Sequence, residues 1–182
     1  KPLERVACPF PEKAVEEAVR ELHAQYAPTA VQRNLDLRVH APSSMPVHSD
    51  RRLLRRALQN FIGNAVRYAQ TGGVLLAARP RGDGISLEVW DTGPGIPSNH
   101  LEQIFEEFHR FDQPGERGQR GLGLGLSICQ RISGVLDHPL QVRSEVGRGS
   151  VFSIRVPRAS APLAAAPPQR MAMDSHDASL HG

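Results

Sequence analysis

Cysteine is scarce in this chain. Cys8 and Cys129 are the only two among 182 residues and form no CxxC pair, so neither a disulfide framework nor a zinc site is indicated. So few thiols fit a reducing compartment, and a cytoplasmic location is expected. Long apolar runs are also missing. The longest uninterrupted one covers residues 74–78, far below the roughly 20 residues that a spanning helix needs. The opening Lys1-Pro2-Leu3-Glu4-Arg5 has no hydrophobic signal region, and this segment is expected to make no membrane contact. Nor does one sign of charge dominate, since the formal net charge is +3. The one dense basic cluster, Arg51, Arg52, Arg55 and Arg56, covers two adjacent sides of a helix. It reads as a solvated face rather than a nucleic-acid surface. Internal repeats are absent.

What is there suffices for one domain. The chain is 40% hydrophobic and 23% charged, enough to bury a real core. Residues 6–10 suggest a short edge strand, followed by a helix opened by Pro11 and running to about Ala27. Leu35, Leu37 and Val39 alternate with polar residues as in a half-buried strand. Ser49 or Asp50 can cap the next helix, which runs to about Tyr68. Two strand-like runs, 74–79 and 85–90, flank the turn residues 80–84. A glycine turn, a short helix around residues 100–108, a polar loop over 112–120 and a helix from about Leu122 to Leu136 follow. Strands at 140–144 and 150–156, separated by Gly147-Arg148-Gly149, close the domain. After Arg158 the composition shifts to Ala, Pro, Ser, Gln and His. The division expected is a domain over 1–158 and a flexible linker or tail over 159–182. The fold class expected is α/β: a two-layer sandwich, with a mixed, mostly antiparallel sheet covered on one face by helices.

Four clusters within that frame carry possible chemistry. On the helix ending at Tyr68, the stripe Leu54, Leu58, Phe61 and Ala65 must face the sheet. A second stripe, Asn60, Asn64, Arg67 and Tyr68, lies about 100° round the axis. Asparagines are poor helix formers, so two of them one turn apart are either a solvated polar edge or a site. As a site, their carboxamide oxygens suit a hard cation such as Mg²⁺ near phosphates, which Arg67 could also reach. Asp91-Thr92-Gly93-Pro94-Gly95-Ile96 follows a strand directly. Its carboxylate can accept from an exocyclic amine, and its glycines let a flat ring approach the backbone; an ordinary Asp/Gly/Pro turn is the alternative. Gly121-Leu122-Gly123-Leu124-Gly125-Leu126 exposes consecutive N–H groups at the start of a helix, which favours phosphate, unless it is only a hinge. Gly147-Arg148-Gly149-Ser150 reads first as hairpin geometry. Phe105, Phe108 and Phe111 read as packing residues, and Cys129 as a reduced core residue.

In their order, these clusters resemble the motifs of histidine kinases. Residues 60–68 are similar to the N box, 91–96 to the first glycine box, 104–108 to the F box and 121–126 to the second glycine box. The turn 147–152 matches the glycine turn near the end of the domain. The resemblance covers about residues 6–157 and implies the Bergerat ATP-binding sandwich of a bacterial sensor kinase. It implies ATP and Mg²⁺ as ligands, with Asn64 as the metal ligand and Asp91 on the adenine amino group. Asn60 and Arg67 then take the catalytic positions along the phosphates, and Tyr68 lies beside the base or ribose. Gly93, Gly95 and Ile96 border the adenine. Residues 109–123 form a lid, with Arg120, Gly121, Leu122, Gly123, Leu124, Gly125 and Leu126 as hinge and phosphate cradle.

Some positions depart from the family pattern. Ala69 stands where many relatives have a hydroxyl, and Leu122 replaces a common Thr or Ser. None of the eight histidines, His23 included, has the phosphoacceptor context. The resemblance therefore implies a protein-histidine kinase domain whose substrate histidine sits on separate dimerisation and phosphotransfer helices. A response-regulator receiver domain is then an indirect partner, with the tail after Arg158 weakly suggesting a hybrid kinase. Hydrolytic ATPases of the same fold (gyrase, mismatch-repair and heat-shock chaperone types) place a Glu one turn before the metal Asn. Asn60 occupies that position here and cannot act as a base, which favours the kinase over a hydrolase. A nucleotide-binding regulator without transfer chemistry is the third class.

Overall fold

The computed structural model describes residues 14–42, 46–107 and 124–159. Its described elements run α1 (Ala14–Gln32), β1 (Asp36–His40), α2 (Arg51–Tyr68), β2 (Gly73–Arg81), β3 (Gly84–Asp91), α3 (Gly125–Leu136), β4 (Leu140–Glu145) and β5 (Gly149–Pro157). The five strands form one sheet in the order β1-β2-β3-β5-β4. Only β1 and β2 are parallel, and every other pair is antiparallel. The helices pack on one face, giving the two-layer, mostly antiparallel sandwich that the sequence implied.

Helix α2 anchors the core. Asp50 caps it, its carboxylate accepting from the backbone N–H of Arg52 at 2.8 Å and of Leu53 at 3.0 Å. Leu54, Leu58, Phe61 and Ala65 are buried as their spacing required, together with Ala57, Ile62 and Val66. Phe61 stacks on Phe152 of β5 with ring centroids 5.6 Å apart. Burying each such large side chain contributes about 1.5–3 kcal/mol.

The basic cluster belongs partly to the helix layer. Arg51 and Arg55 reach Glu21 of α1 at 3.0 and 3.6 Å. Gln59 donates to Gln25 at 3.2 Å, the Tyr26 hydroxyl donates to the Gln59 carbonyl at 3.1 Å, and Arg33 donates to the Arg67 carbonyl at 2.8 Å. A stripe of α2 stepping by four from Arg51 to Arg67 is thus latched to α1, beside the Asn60–Asn64 stripe.

Three boundaries differ from expectation. Helix α1 continues through Pro28 to Gln32, although a proline removes one helical N–H. Ala30, 1% exposed, draws that extra turn into the core. Asn34 then closes the helix with a left-handed φ of 55°, and the Leu35 N–H donates back to the Ala30 carbonyl at 2.9 Å. Instead of a short helix at 100–108 there are two 3₁₀ turns, Ser98–His100 and Gln103–Phe105, the second ended by extended Glu106. Strands β2 and β3 also run closer together than read, leaving only Gly82 and Asp83 as the turn. The expected strand at 6–10, the loop at 112–120 and the tail from 160 onward lie outside the described residues.

Candidate nucleotide site

The site is assembled where the C-terminal ends of α2 and β3 meet the start of α3. Asn60, Asn64, Arg67 and Tyr68 are half-buried along one side of α2. The Asn60 carboxamide donates to the Arg56 carbonyl at 3.0 Å, which leaves its oxygen to face α3. A Cβ added at Gly125 would stand 3.0 Å from that oxygen. Cys129, one turn further along α3, is fully buried beside Asn60 and donates to the Ala57 carbonyl at 3.6 Å. Burial pushes its thiol up to about 12, so it stays protonated, the core residue that its neighbours suggested. Asn60 is therefore the joint between α2 and the glycine-rich start of α3. Leu124, Gly125 and Leu126 begin that helix, and Leu124 offers no side-chain cap. Its first N–H groups, which face no side-chain acceptor of that residue, keep the polarity that favours an anion. Arg120, Gly121, Leu122 and Gly123 lie outside the described residues, as do Phe108 and Phe111.

Asp91 ends β3. Its Oδ1 accepts from the Gly93 N–H at 2.8 Å, and the Ser150 N–H also donates to the carboxylate. Burial nevertheless raises its pKa above the ordinary aspartate value, with those two hydrogen bonds working against the shift. An acceptor-only group held by two backbone donors, and still half-buried, is preset to receive a further N–H.

The glycine turn after Asp91 is packed to backbone contact. A Cβ at Gly93 would sit 2.7 Å from Asp91 Oδ1 and 3.3 Å from the Tyr68 carbonyl oxygen, so this glycine joins β3 to the end of α2. Gly95 has φ 74°, and a Cβ there would overlap the Glu145 carbonyl. The Ile96 N–H donates to Ser144 Oγ at 2.7 Å, and Ser144 Oγ donates to the Gly149 carbonyl at 3.0 Å. Thr92 ties the other flank, accepting from the Gly73 N–H at 2.9 Å and donating to the Thr71 carbonyl at 2.7 Å.

Two supports were not read from the sequence. Ser144 and Ser150 hold the turn in place, and nothing in β-strand alternation marks either serine as special. The Gly147–Gly149 turn, taken first as hairpin geometry, does more than reverse the chain. A Cβ on Gly149 (φ 112°) would overlap the carbonyl of Asp91 itself.

The described residues thus bring Asn60, Asn64, Arg67, Tyr68, Asp91, Gly93, Gly95, Ile96, Leu124, Gly125 and Leu126 to one end of the sandwich. An acidic acceptor walled by glycine backbone, an asparagine-bearing helix and an uncapped helix start define a nucleotide-binding α/β sandwich. Residues 49–160 match the family model described as histidine kinase-, DNA gyrase B- and HSP90-like ATPase, and the chain belongs to that family. Within it, the chain matches the ATP-binding catalytic domains of sensor histidine kinases. It is 34% identical over 143 residues to the sensor histidine kinase RcsC of Escherichia coli (strain K12), covering 78% of this chain and 15% of RcsC. The crystal structure of full-length ShkA in complex with AMPPNP superposes with a TM-score of 0.75 at 31% identity, covering 88% of this chain and 33% of ShkA. The histidine kinase ThkA, in complex with the response regulator TrrA, shares the fold at 22% identity and a TM-score of 0.68, covering 84% of this chain and 42% of ThkA. The chain spans only a minor part of each of these proteins.

Proposed function

We propose that this chain binds Mg-ATP and transfers its γ-phosphoryl group to a histidine on a separate dimerisation and phosphotransfer domain. The observation that carries the nucleotide half is Asp91, fixed by the Gly93 and Ser150 N–H groups at a glycine wall opposite the α2 asparagines. In this reading the Asp91 carboxylate accepts from the adenine amino group. Gly93 and Gly95 hold the turn in contact with the Tyr68 and Glu145 backbone, which keeps it beside Asp91 as a wall for a planar ring. Tyr68 borders the base or ribose, while Arg67 and the N–H groups at the start of α3 neutralise phosphate charge.

Asn64 fits a metal that is shared with phosphates. Among the described residues no group of three or more His, Cys, Asp or Glu could hold a metal on its own. Mg²⁺ beside phosphates needs only one or two protein oxygens. When bound, the ion supplies charge neutralisation and fixes the phosphates in line. Asn60, one turn away, positions phosphate and has no basic lone pair with which to activate water. Transfer of this kind depends on positioning and electrostatics more than on covalent chemistry from the protein. The nucleophilic imidazole and its base come from the partner helices, and a response regulator, such as the one bound to ThkA, is the onward acceptor.

The metal assignment has its own test. Calorimetric titration with a non-hydrolysable ATP analogue should show tighter binding with Mg²⁺ than with EDTA. Asn64→Ala should remove most of that difference, roughly tenfold or more in affinity, while leaving metal-free binding in place. A variant that keeps the full Mg²⁺ effect would reassign the ligand.

A further inference from the structure

Helices cover one face of the sheet, and the other face carries a cluster that the nucleotide site does not use. Strand register puts Leu75, Trp90, Val151 and Arg143 in one cross-strand row, and Ala77 and Glu88 in the next. The guanidiniums of Arg79 and Arg143 lie over the Trp90 ring, 5.6 and 5.7 Å from its centroid. The indole N–H donates to Glu88 Oε2 at 2.9 Å. Glu88 stands on the outer face of a central strand, yet its side chain is only 3% exposed, with Arg79 and Arg81 at 3.6 and 3.8 Å.

The other charges on this face are closed in local pairs. Arg38 donates to Asp36 at 2.6 Å, Arg155 to Asp83 at 2.6 Å and Arg148 to Glu145 at 3.1 Å. Among the described residues, that leaves on this face three guanidiniums, those of Arg79, Arg81 and Arg143, against the single carboxylate of Glu88, which only Arg79 and Arg81 approach. Arg143 is exposed and, among the described residues, has no carboxylate within ion-pair distance. The Arg79 Nε–H is buried without a hydrogen-bond acceptor.

We propose that this face docks an acidic segment of a protein partner, whose carboxylates accept hydrogen bonds from Arg143, Arg79 and Arg81. Guanidiniums stacked on an indole lose rotamer freedom in advance and present planar forks, the geometry that carboxylates accept best. The arrangement suits a peptide better than a nucleic acid. Cations already occupy the Trp90 ring, which a stacked base would need. The proposal is independent of nucleotide binding, because Trp90 and Asp91 are consecutive in β3 and point to opposite faces.

Trp90 is the only tryptophan in the sequence, so its fluorescence reports on this face alone. Titration with an oligoglutamate peptide at low salt should give a saturable change in emission that weakens as salt is raised. Oligoglutamine should be silent. Arg143→Glu should bind the peptide roughly tenfold or more weakly, with unchanged thermal unfolding and unchanged affinity for an ATP analogue. Absence of a saturable change, equal binding by Arg143→Glu, or tighter binding of a single-stranded oligonucleotide of matched charge would overturn the proposal.

Discussion

Replacing Asp91 with Asn should weaken binding of an ATP analogue roughly ten- to a hundred-fold in titration calorimetry, the equivalent of about 1.5–3 kcal/mol. The substitution keeps shape and size. It turns an acceptor-only group into one whose NH₂ would oppose the adenine amine, and removes the charge from a charge-assisted hydrogen bond. The Gly93 N–H that now reaches Asp91 Oδ1 at 2.8 Å can still bond a carboxamide oxygen in that place, so the fold should survive. Unchanged affinity would remove Asp91 from the adenine site.

The raised pKa of Asp91 adds a pH signature. If the carboxylate receives the adenine amine as proposed, binding should be lost as pH falls through the folded-state value, which lies above that of an ordinary aspartate. Stability runs the other way for this group. A folded pKa above the unfolded one means that the folded state holds the proton more tightly, so Asp91's own contribution to stability is present at low pH and lost as pH rises through the folded value. Between the two pKa values, acidification should therefore weaken nucleotide binding without the Asp91 term weakening the fold. In Asp91→Asn this component of the pH dependence should vanish.

Gly149→Ala should be the most damaging single methyl addition in the β4–β5 turn, and Gly147→Ala its control. Both positions have positive φ, 112° and 80°, so each substitution carries backbone strain. Only at Gly149 does the new Cβ also overlap a backbone atom, the Asp91 carbonyl, while at Gly147 nothing lies within 4 Å. Strain plus overpacking against main chain should cost Gly149→Ala about 2–5 kcal/mol, and strain alone should cost Gly147→Ala about 1–2 kcal/mol. Denaturant unfolding measures both. In Gly149→Ala, nucleotide affinity should fall as well, because the atom displaced belongs to Asp91, the residue proposed to receive the adenine amino group. Equal, small losses for the two variants would mean that the turn is hairpin geometry and nothing more.

The comparison of those glycines shows where the sequence stopped being legible. Local, periodic information could be read. The two stripes of α2 follow from a repeat of 3.6 residues, residue type narrowed its cap to Ser49 or Asp50, and the strands β1 to β5 show as alternating or apolar runs. What depended on a distant atom was not. Gly149 is a glycine because of the Asp91 carbonyl, 58 residues earlier, and Ser144 matters because the Ile96 N–H arrives beside it. Helix α1 passes Pro28 because Ala30 has a core to enter, a tertiary gain that outweighs local propensity. The outer face of the sheet was hidden for a different reason. Leu75, Ala77, Glu88 and Trp90 sit in near-continuous apolar runs, so alternation gave no sign that Glu88 would be covered by arginines. The candidate site was read as order and residue type; its supports are tertiary and needed coordinates.

The proposed division of labour puts the nucleotide on this chain and the phosphoacceptor histidine elsewhere. It is tested most directly with radiolabelled ATP and three samples, namely this chain alone, the dimerisation and phosphotransfer helical hairpin of its own parent protein alone, and the two together. The mixture should place an acid-labile, base-stable phosphate on the hairpin, while the chain alone neither labels itself nor releases phosphate quickly. Robust self-labelling of the isolated chain, or fast hydrolysis that survives Asn60→Ala, would contradict the account.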